Sequence, residues 1–392
     1  MNLIKINDLK AGQVFSAPVY TDGDNVLVPQ MTPIRQKDID LLHSWKINSV
    51  RTEGHIVESA EPPPSPSSRE RTASNTKKET INFSINDVEQ NSGAYRAYKI
   101  LIDKLNNVFI ALNAGIDVDM RPVDDICVKL LQDLREHPSN FIGFILGGEV
   151  TGNELAKSSV NTAIISALIA QELKLPNHKV HNIVAAALLH DVGMLRLSKL
   201  ITQKKGGLSD AELEQIKSHP LHTSKIVTKE MFGPREVNLI ALQHHERWDG
   251  KGYPDHILGP AIDIGARIVS VADAFEAMVS KKPYRNPMVG YQAVKNLLSD
   301  NSRRFDPAVI MAFTRIMGIY PIGSIVRLSN GAVARVVSLH IEAPLRPIVQ
   351  ILMDEDDNVL SADKARAIDL LEEKTLFIKE AVDPANFAGA DE

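Results

Sequence analysis

The chain has 392 residues, with 44 Lys and Arg against 49 Asp and Glu, for a net charge of -5. That length suggests roughly two to four domains, and without a long basic run nucleic acid is a poor partner. A lone cysteine, Cys127, excludes an internal disulfide framework and suits a reducing compartment. The N-terminal MNLIKINDLK lacks the apolar core of a signal peptide, and no apolar run approaches the ~20 residues that cross a bilayer. The expectation is a soluble, cytoplasmic, multidomain protein with no DNA and no membrane among its partners.

Residues 1–57 read as a small α/β domain. VFSAPVY and NVLVP look like strands around an Asp22-Gly23-Asp24 turn, IRQKDIDLLHSW has helical spacing, and INSVRT resembles a returning strand. Residues 58–82 are rich in Pro, Ser, Thr and charge; with so little to bury they are expected to form a flexible linker. Residues 83–147 turn helical. Leu101, Leu105, Val108 and Leu112 form a seam that either packs inside the chain or joins two copies in a homodimer. DDICVKLLQDLREHP follows as a second helix.

Residues 148–319 give helix after helix: AIISALIAQELKL, VHNIVAAALLHDVG, AELEQIKSHP and REVNLIALQHH. Ser209 and Glu212 stand at capping-box spacing before the third. Past Tyr320 the pattern alternates around Asn330-Gly331, a strong hairpin signal, and PIVQILMDEDDNVLS reads as a second hairpin. Residues 320–376 therefore read as a small β domain, ahead of an acidic tail at 377–392. The fold class is multidomain and mainly α: a helical bundle with a small α/β domain before it and a small β domain after it.

The chemistry gathers in the helical domain. His190-Asp191, His219, His244-His245 and Asp273 lie at or near ends of predicted helices, with Glu154 upstream. A bundle can aim several such ends into one cavity. Imidazoles with carboxylates suit iron, manganese or zinc, and the missing thiolates argue against a structural zinc. Two cations ~3.5–4 Å apart, with a carboxylate such as Asp191 between them, suit phosphoester hydrolysis. Bland readings stand beside this one. His43, His137, His178 and His340 read as surface or capping residues, His222 could share the His219 face, and His190-Asp191 could be a buried hydrogen-bonded pair. For the adjacent His244 and His245 both rings reach one centre only where a helix is ending. Asp273 sits in the apolar run VSVADAFEAM, where unpaired burial is costly.

HDVG at His190, HP at His219, HHERWDGKGYP at His244, VAD at Asp273 and KPYR at Lys282 together resemble the HD-GYP family of metal-dependent phosphodiesterases. The resemblance covers about residues 148–319. It implies hydrolysis of cyclic di-GMP to pGpG and onward to GMP. By position, His190, Asp191, His219, His244, His245 and Asp273 would hold two divalent metals, iron or manganese first, with Asp191 bridging and His190 and Asp191 as the catalytic pair. Glu154 matches a carboxylate that adds a third metal in some members. Tyr253 would contact the nucleotide, and Lys282 and Arg285 would face phosphate.

Three positions depart from the family pattern. Ser158 stands where a metal-binding His is expected, Met194 where many members have Lys, and Thr223 where Gly is common, the last read as a minor packing matter. The first two leave open a second function: a degenerate module that binds cyclic di-GMP or a partner protein without turnover.

Overall fold

A computed structural model describes residues 2–21, 26–28, 30–34, 36, 38–39, 42, 49–57, 93–136, 138–147, 154–202, 204, 206–280, 290–300, 303–340, 343–356, 358–360 and 366–382. The chain divides into two compact units, Met1–Phe83 with Ser324–Glu392, and Ser84–Gly323.

The first unit is built from short antiparallel strands. β1 (Asn2–Lys5), β2 (Val14–Phe15), β3 (Val19–Tyr20), β4 (Val26–Val28), β5 (Ser49–Thr52) and β6 (Ile56–Val57) make a sheet of order β1-β5-β3-β4 and the pair β2-β6. VFSAPVY is thus two strands in two sheets rather than one. Pro18 has no N–H to give a ladder, and Ser16 turns its amide to the His55 carbonyl instead. The Asp22-Gly23-Asp24 turn, the linker at 58–82 and most of IRQKDIDLLHSW lie outside the described residues. INSVRT does return, as β5.

β7 (Ile325–Leu328), β8 (Val333–Ser338), β9 (Ile348–Met353), β10 (Ala367–Asp369) and β11 (Ile378–Ala381) form a second sheet, ordered β10-β9-β8-β7-β11. β7 and β8 pair around Asn330-Gly331, where Gly331 takes the positive φ of 99° that the turn needs. The second hairpin is present among the described residues as a bridge from Met353 to Val359, with the Leu360 amide donating to the Leu352 carbonyl at 2.9 Å.

The described residues of the second unit form helices and the loops between them: α1 (Gly93–Asn113), α2 (Arg121–Glu136), α3 (Pro138–Gly147), α4 (Glu154–Glu172), α5 (Asn177–Leu189), α6 (Lys199–Thr202), α7 (Asp210–Lys217), α8 (His219–Lys225), α9 (Arg235–Gln243), α10 (Ile264–Val279), α11 (Gly290–Ser299) and α12 (Pro307–Met317). α4 is its axle. Every residue from Ser158 to Ala170 is buried, and α1, α5, α10 and α12 pack around it, as a helix apolar on all sides requires. The Leu101, Leu105, Val108 and Leu112 seam is buried in this core, so it serves packing within the chain and presents no face to a second copy. Ser209 and Glu212 make both bonds of the capping box that opens α7. Among the described residues no helix is long and apolar enough to cross a membrane.

Candidate metal centre

Four helix ends and one helix flank converge. His190 caps the C-terminus of α5 and Asp191 follows it. His219 begins α8 directly after α7 ends, and His244 caps the C-terminus of α9 with His245 next. Asp273 projects from the middle of α10, which packs on α4, α5 and α9. The two adjacent histidines share one centre because α9 stops at Gln243.

Two groups of ligand atoms result, and Asp191 belongs to both: Asp191 with His219, His244 and His245, and Asp191 with His190 and Asp273. Its carboxylate divides accordingly. Asp191 Oδ1 lies 3.1 Å from His219 Nε2 and 3.9 Å from His244 Nε2, while Oδ2 lies 3.5 Å from His190 Nε2. Asp273 Oδ1 is 3.6 Å from the same His190 nitrogen.

The imidazoles are oriented by their own helices. Nδ1–H of His190, His219 and His244 donates to the carbonyl three residues earlier, of Ala187, Ile216 and Ala241, each at 2.7 Å. A carbonyl only accepts, so Nδ1 must carry the hydrogen and Nε2 of the neutral ring turns a lone pair inward. His219 Nε2 and His244 Nε2 stand 3.3 Å apart, and buried His190 Nε2 has no hydrogen-bond partner. Inward lone pairs, two carboxylates and the negative ends of α5, α7 and α9 together call for cations. The donor set fits divalent metals with nitrogen and oxygen ligands.

Electrostatics single out His190. Burial opposes charge on it, yet Asp191 and Asp273 outweigh burial and raise its pKa to about 9, so in the metal-free centre its Nε2 carries a proton at neutral pH that a bound cation would displace. His244 and His245 move the other way through burial, His245 to about 4. Burial works against ionised Asp191 and Asp273, but the surrounding histidines hold both carboxyls below their usual range.

The GYP loop closes one side. Tyr253 lays its ring against His245, with centroids 4.8 Å apart, and its amide donates to the His245 carbonyl. Burial, reinforced by Asp191 and Asp273, raises the pKa of its phenol, so the hydroxyl stays protonated at neutral pH. A Cβ on Gly252 would land on the backbone of His245, Glu246 and Arg247, so only glycine lets the loop fold back this closely. The loop borders a cavity of about 700 Å³ that His245 and Tyr253 line.

The remaining expected residues fall elsewhere. Glu154 is exposed in the first turn of α4 and joins neither group; His222 is half-buried outside both. Lys282 and Arg285 lie outside the described residues. Ser158 is not an idle position: its hydroxyl donates to Glu276 Oε2 at 2.6 Å, in a buried network where Asn161 Nδ2 and Ser280 Oγ donate to Oε1.

Sequence reasoning passed over two contributors. Glu246, the acid of HHE, is buried and accepts the amides of Asp255 and Ile257, which ties down the loop beyond Tyr253. Thr223 is more than a packing substitute. Its Oγ1 donates to the His190 carbonyl and accepts from the Gly193 amide, both at 2.9 Å, pinning the His190-Asp191 turn to α8, the helix that carries His219.

A helical unit whose ligand cluster sits on helix ends beside a GYP loop defines an HD-type domain. Residues 151–309 match the family model described as HD domain, and residues 325–390 the one described as KOW domain associated with HD domain. Residues 151–309 of this chain therefore form an HD domain. The cyclic di-GMP phosphodiesterase PA4108 of Pseudomonas aeruginosa is 28% identical over 258 residues, which span 64% of this chain and 61% of that protein. The cyclic di-GMP phosphodiesterase PdeB of Borreliella burgdorferi is 24% identical over 85% of this chain and 83% of its own. The cyclic di-GMP phosphodiesterase response regulator RpfG of Xanthomonas campestris pv. campestris is 38% identical over 38% of this chain and 40% of its own.

Proposed function

We propose that this protein is a metal-dependent phosphodiesterase that hydrolyses cyclic di-GMP to pGpG and onward to GMP. The observation that carries this reading is the carboxylate of Asp191, whose two oxygens face two different sets of ligands. His190 and Asp273 would hold one cation and His219, His244 and His245 a second, with Asp191 between them. Iron or manganese suits that mixture of imidazole and carboxylate. A pair of divalent cations, when bound, supplies Lewis acidity and an activated water for phosphodiester cleavage.

The chain's own groups do the rest. The Ala187, Ile216 and Ala241 carbonyls fix the ring orientations, so the nitrogens that would hold metal face inward. Tyr253, protonated and tilted against the His245 ring, is a hydrogen-bond donor at the edge of the cluster, suited to a phosphate oxygen. Lys282 and Arg285 are proposed as further phosphate cations on sequence position alone. Ser158 is engaged with Glu276, so neither half of the proposed two-metal set depends on it. Its loss as a ligand bears only on a third metal with Glu154.

The test loads the protein with Fe(II) or Mn(II) without oxygen, adds cyclic di-GMP, separates products by chromatography and counts bound metal. Appearance of pGpG or GMP is expected, with turnover and metal lost together in Asp191→Ala. Metal content unchanged in that variant would sink the bridging role. Tight binding of intact cyclic di-GMP without product would make the protein a sensing module instead.

A further inference from the structure

A cyclic dinucleotide carries two phosphodiesters. The ligand cluster accounts for the one being cleaved; the other must lie in the adjoining cavity. Besides His245 and Tyr253, that cavity is lined by the cations Lys217, Arg247, Lys251 and Arg304. Two of these are already engaged. Arg247 makes a two-pronged bond to Asp249 at 3.0 and 2.8 Å, and Lys217 pairs with Glu214 at 2.6 Å. Lys251 is exposed on the loop.

Arg304 differs from all three. Its guanidinium has no ion pair and no side-chain hydrogen bond among the described residues, and its carbon sits 4.9 Å from the centroid of the buried Phe305 ring. Its backbone carbonyl accepts the Trp248 amide at 2.9 Å, which couples its position to the GYP loop, and its charge reaches the Tyr253 phenol. A guanidinium steadied on an aromatic face, with its planar donors unclaimed, is preorganised for a two-pronged bond to an anion. Among the described residues no carboxylate pairs with it, and Glu214, which lines the same cavity, is taken up by Lys217.

We infer that Arg304 binds the phosphodiester of the substrate that is not being cleaved, and so selects cyclic dinucleotides over simple diesters. The inference rests on the cyclic di-GMP reading above. The test compares wild type, Arg304→Ala and Arg304→Lys, all loaded with Mn(II), on cyclic di-GMP and on bis(4-nitrophenyl) phosphate, which has one phosphodiester. A charged hydrogen bond of this kind predicts a KM for cyclic di-GMP raised roughly 10- to 100-fold in Arg304→Ala, with kcat within about twofold. The ratio of kcat/KM for the two substrates falls by the same factor, the lysine variant recovers part of it, and metal content matches wild type.

Equal losses on both substrates, or an unchanged KM for cyclic di-GMP, overturn the role. Should wild type cleave only the simple diester, the cyclic di-GMP hydrolysis reading fails by itself. Calorimetric binding of intact cyclic di-GMP then decides on Arg304: affinity lost in Arg304→Ala keeps the assignment, and equal affinity, or none in wild type, ends it.

Discussion

Replacing Thr223 with Val keeps the shape of the side chain and deletes its hydroxyl. Two buried backbone groups then lose their partner: the His190 carbonyl and the Gly193 amide, each now bonded at 2.9 Å. Thr223 is fully buried, so water cannot easily replace it. An unpaired buried polar group costs about 1–3 kcal/mol, and the added methyl returns about 0.8 kcal/mol. The helical unit should therefore lose about 1–5 kcal/mol in urea unfolding of the chelator-treated protein. The same change loosens the turn bearing His190 and Asp191 from the helix bearing His219, and lost support of ligands typically costs about 10- to 100-fold in metal affinity. Mn(II) titration of the variant reads that loss. Thr223→Ser keeps the hydroxyl and should recover most of both effects. A valine variant within about 0.5 kcal/mol of wild type, with Mn(II) affinity within about twofold, would refute the clip.

Two further changes test the loop and the helix network. Gly252→Ala drives a methyl into the His245, Glu246 and Arg247 backbone, so the GYP loop must open. Overpacking of about 1–3 kcal/mol should raise KM for cyclic di-GMP by about tenfold or more, and because the clash reaches His245, Mn(II) affinity should fall with it; a KM within about twofold of wild type would contradict the close approach. Ser158→Ala removes a donor from buried Glu276 and should lower stability by about 1–3 kcal/mol with metal content untouched. Fewer ions per chain in this variant would make Ser158 a ligand after all.

The helical organisation and the cluster were readable because each rests on a local signal. The adjacent imidazoles of His244 and His245 make sense only at a helix end, and the end falls at Gln243. Asp273 announced a partner by standing among Val271, Ala272, Ala274 and Phe275. Thr223 could not be read this way. The partners of its hydroxyl are backbone groups 33 and 30 residues away, and no side-chain pattern marks a bond to a carbonyl. Arg304 escaped notice for a related reason: an arginine before a phenylalanine is ordinary until folding sets it on a cavity wall. The seam at Leu101 showed period without partner; only the packed helices reveal that its cover is the chain's own core.

The imidazoles of His190, His219 and His244 also each occupy a carbonyl in the closing turn of a helix, at Ala187, Ile216 and Ala241. Helix ends ordinarily fray, because their last carbonyls lack partners. Here the hydrogen that satisfies such a carbonyl sits on the same ring whose far nitrogen points at the cluster. Whatever draws the far nitrogen inward therefore also zips up the final turn behind it. Cation binding and the winding of α5, α7 and α9 become a single equilibrium, in which an ion that binds only the closed form stabilises it in proportion to its concentration. Amide exchange in those three turns becomes a direct gauge of how full the centre is.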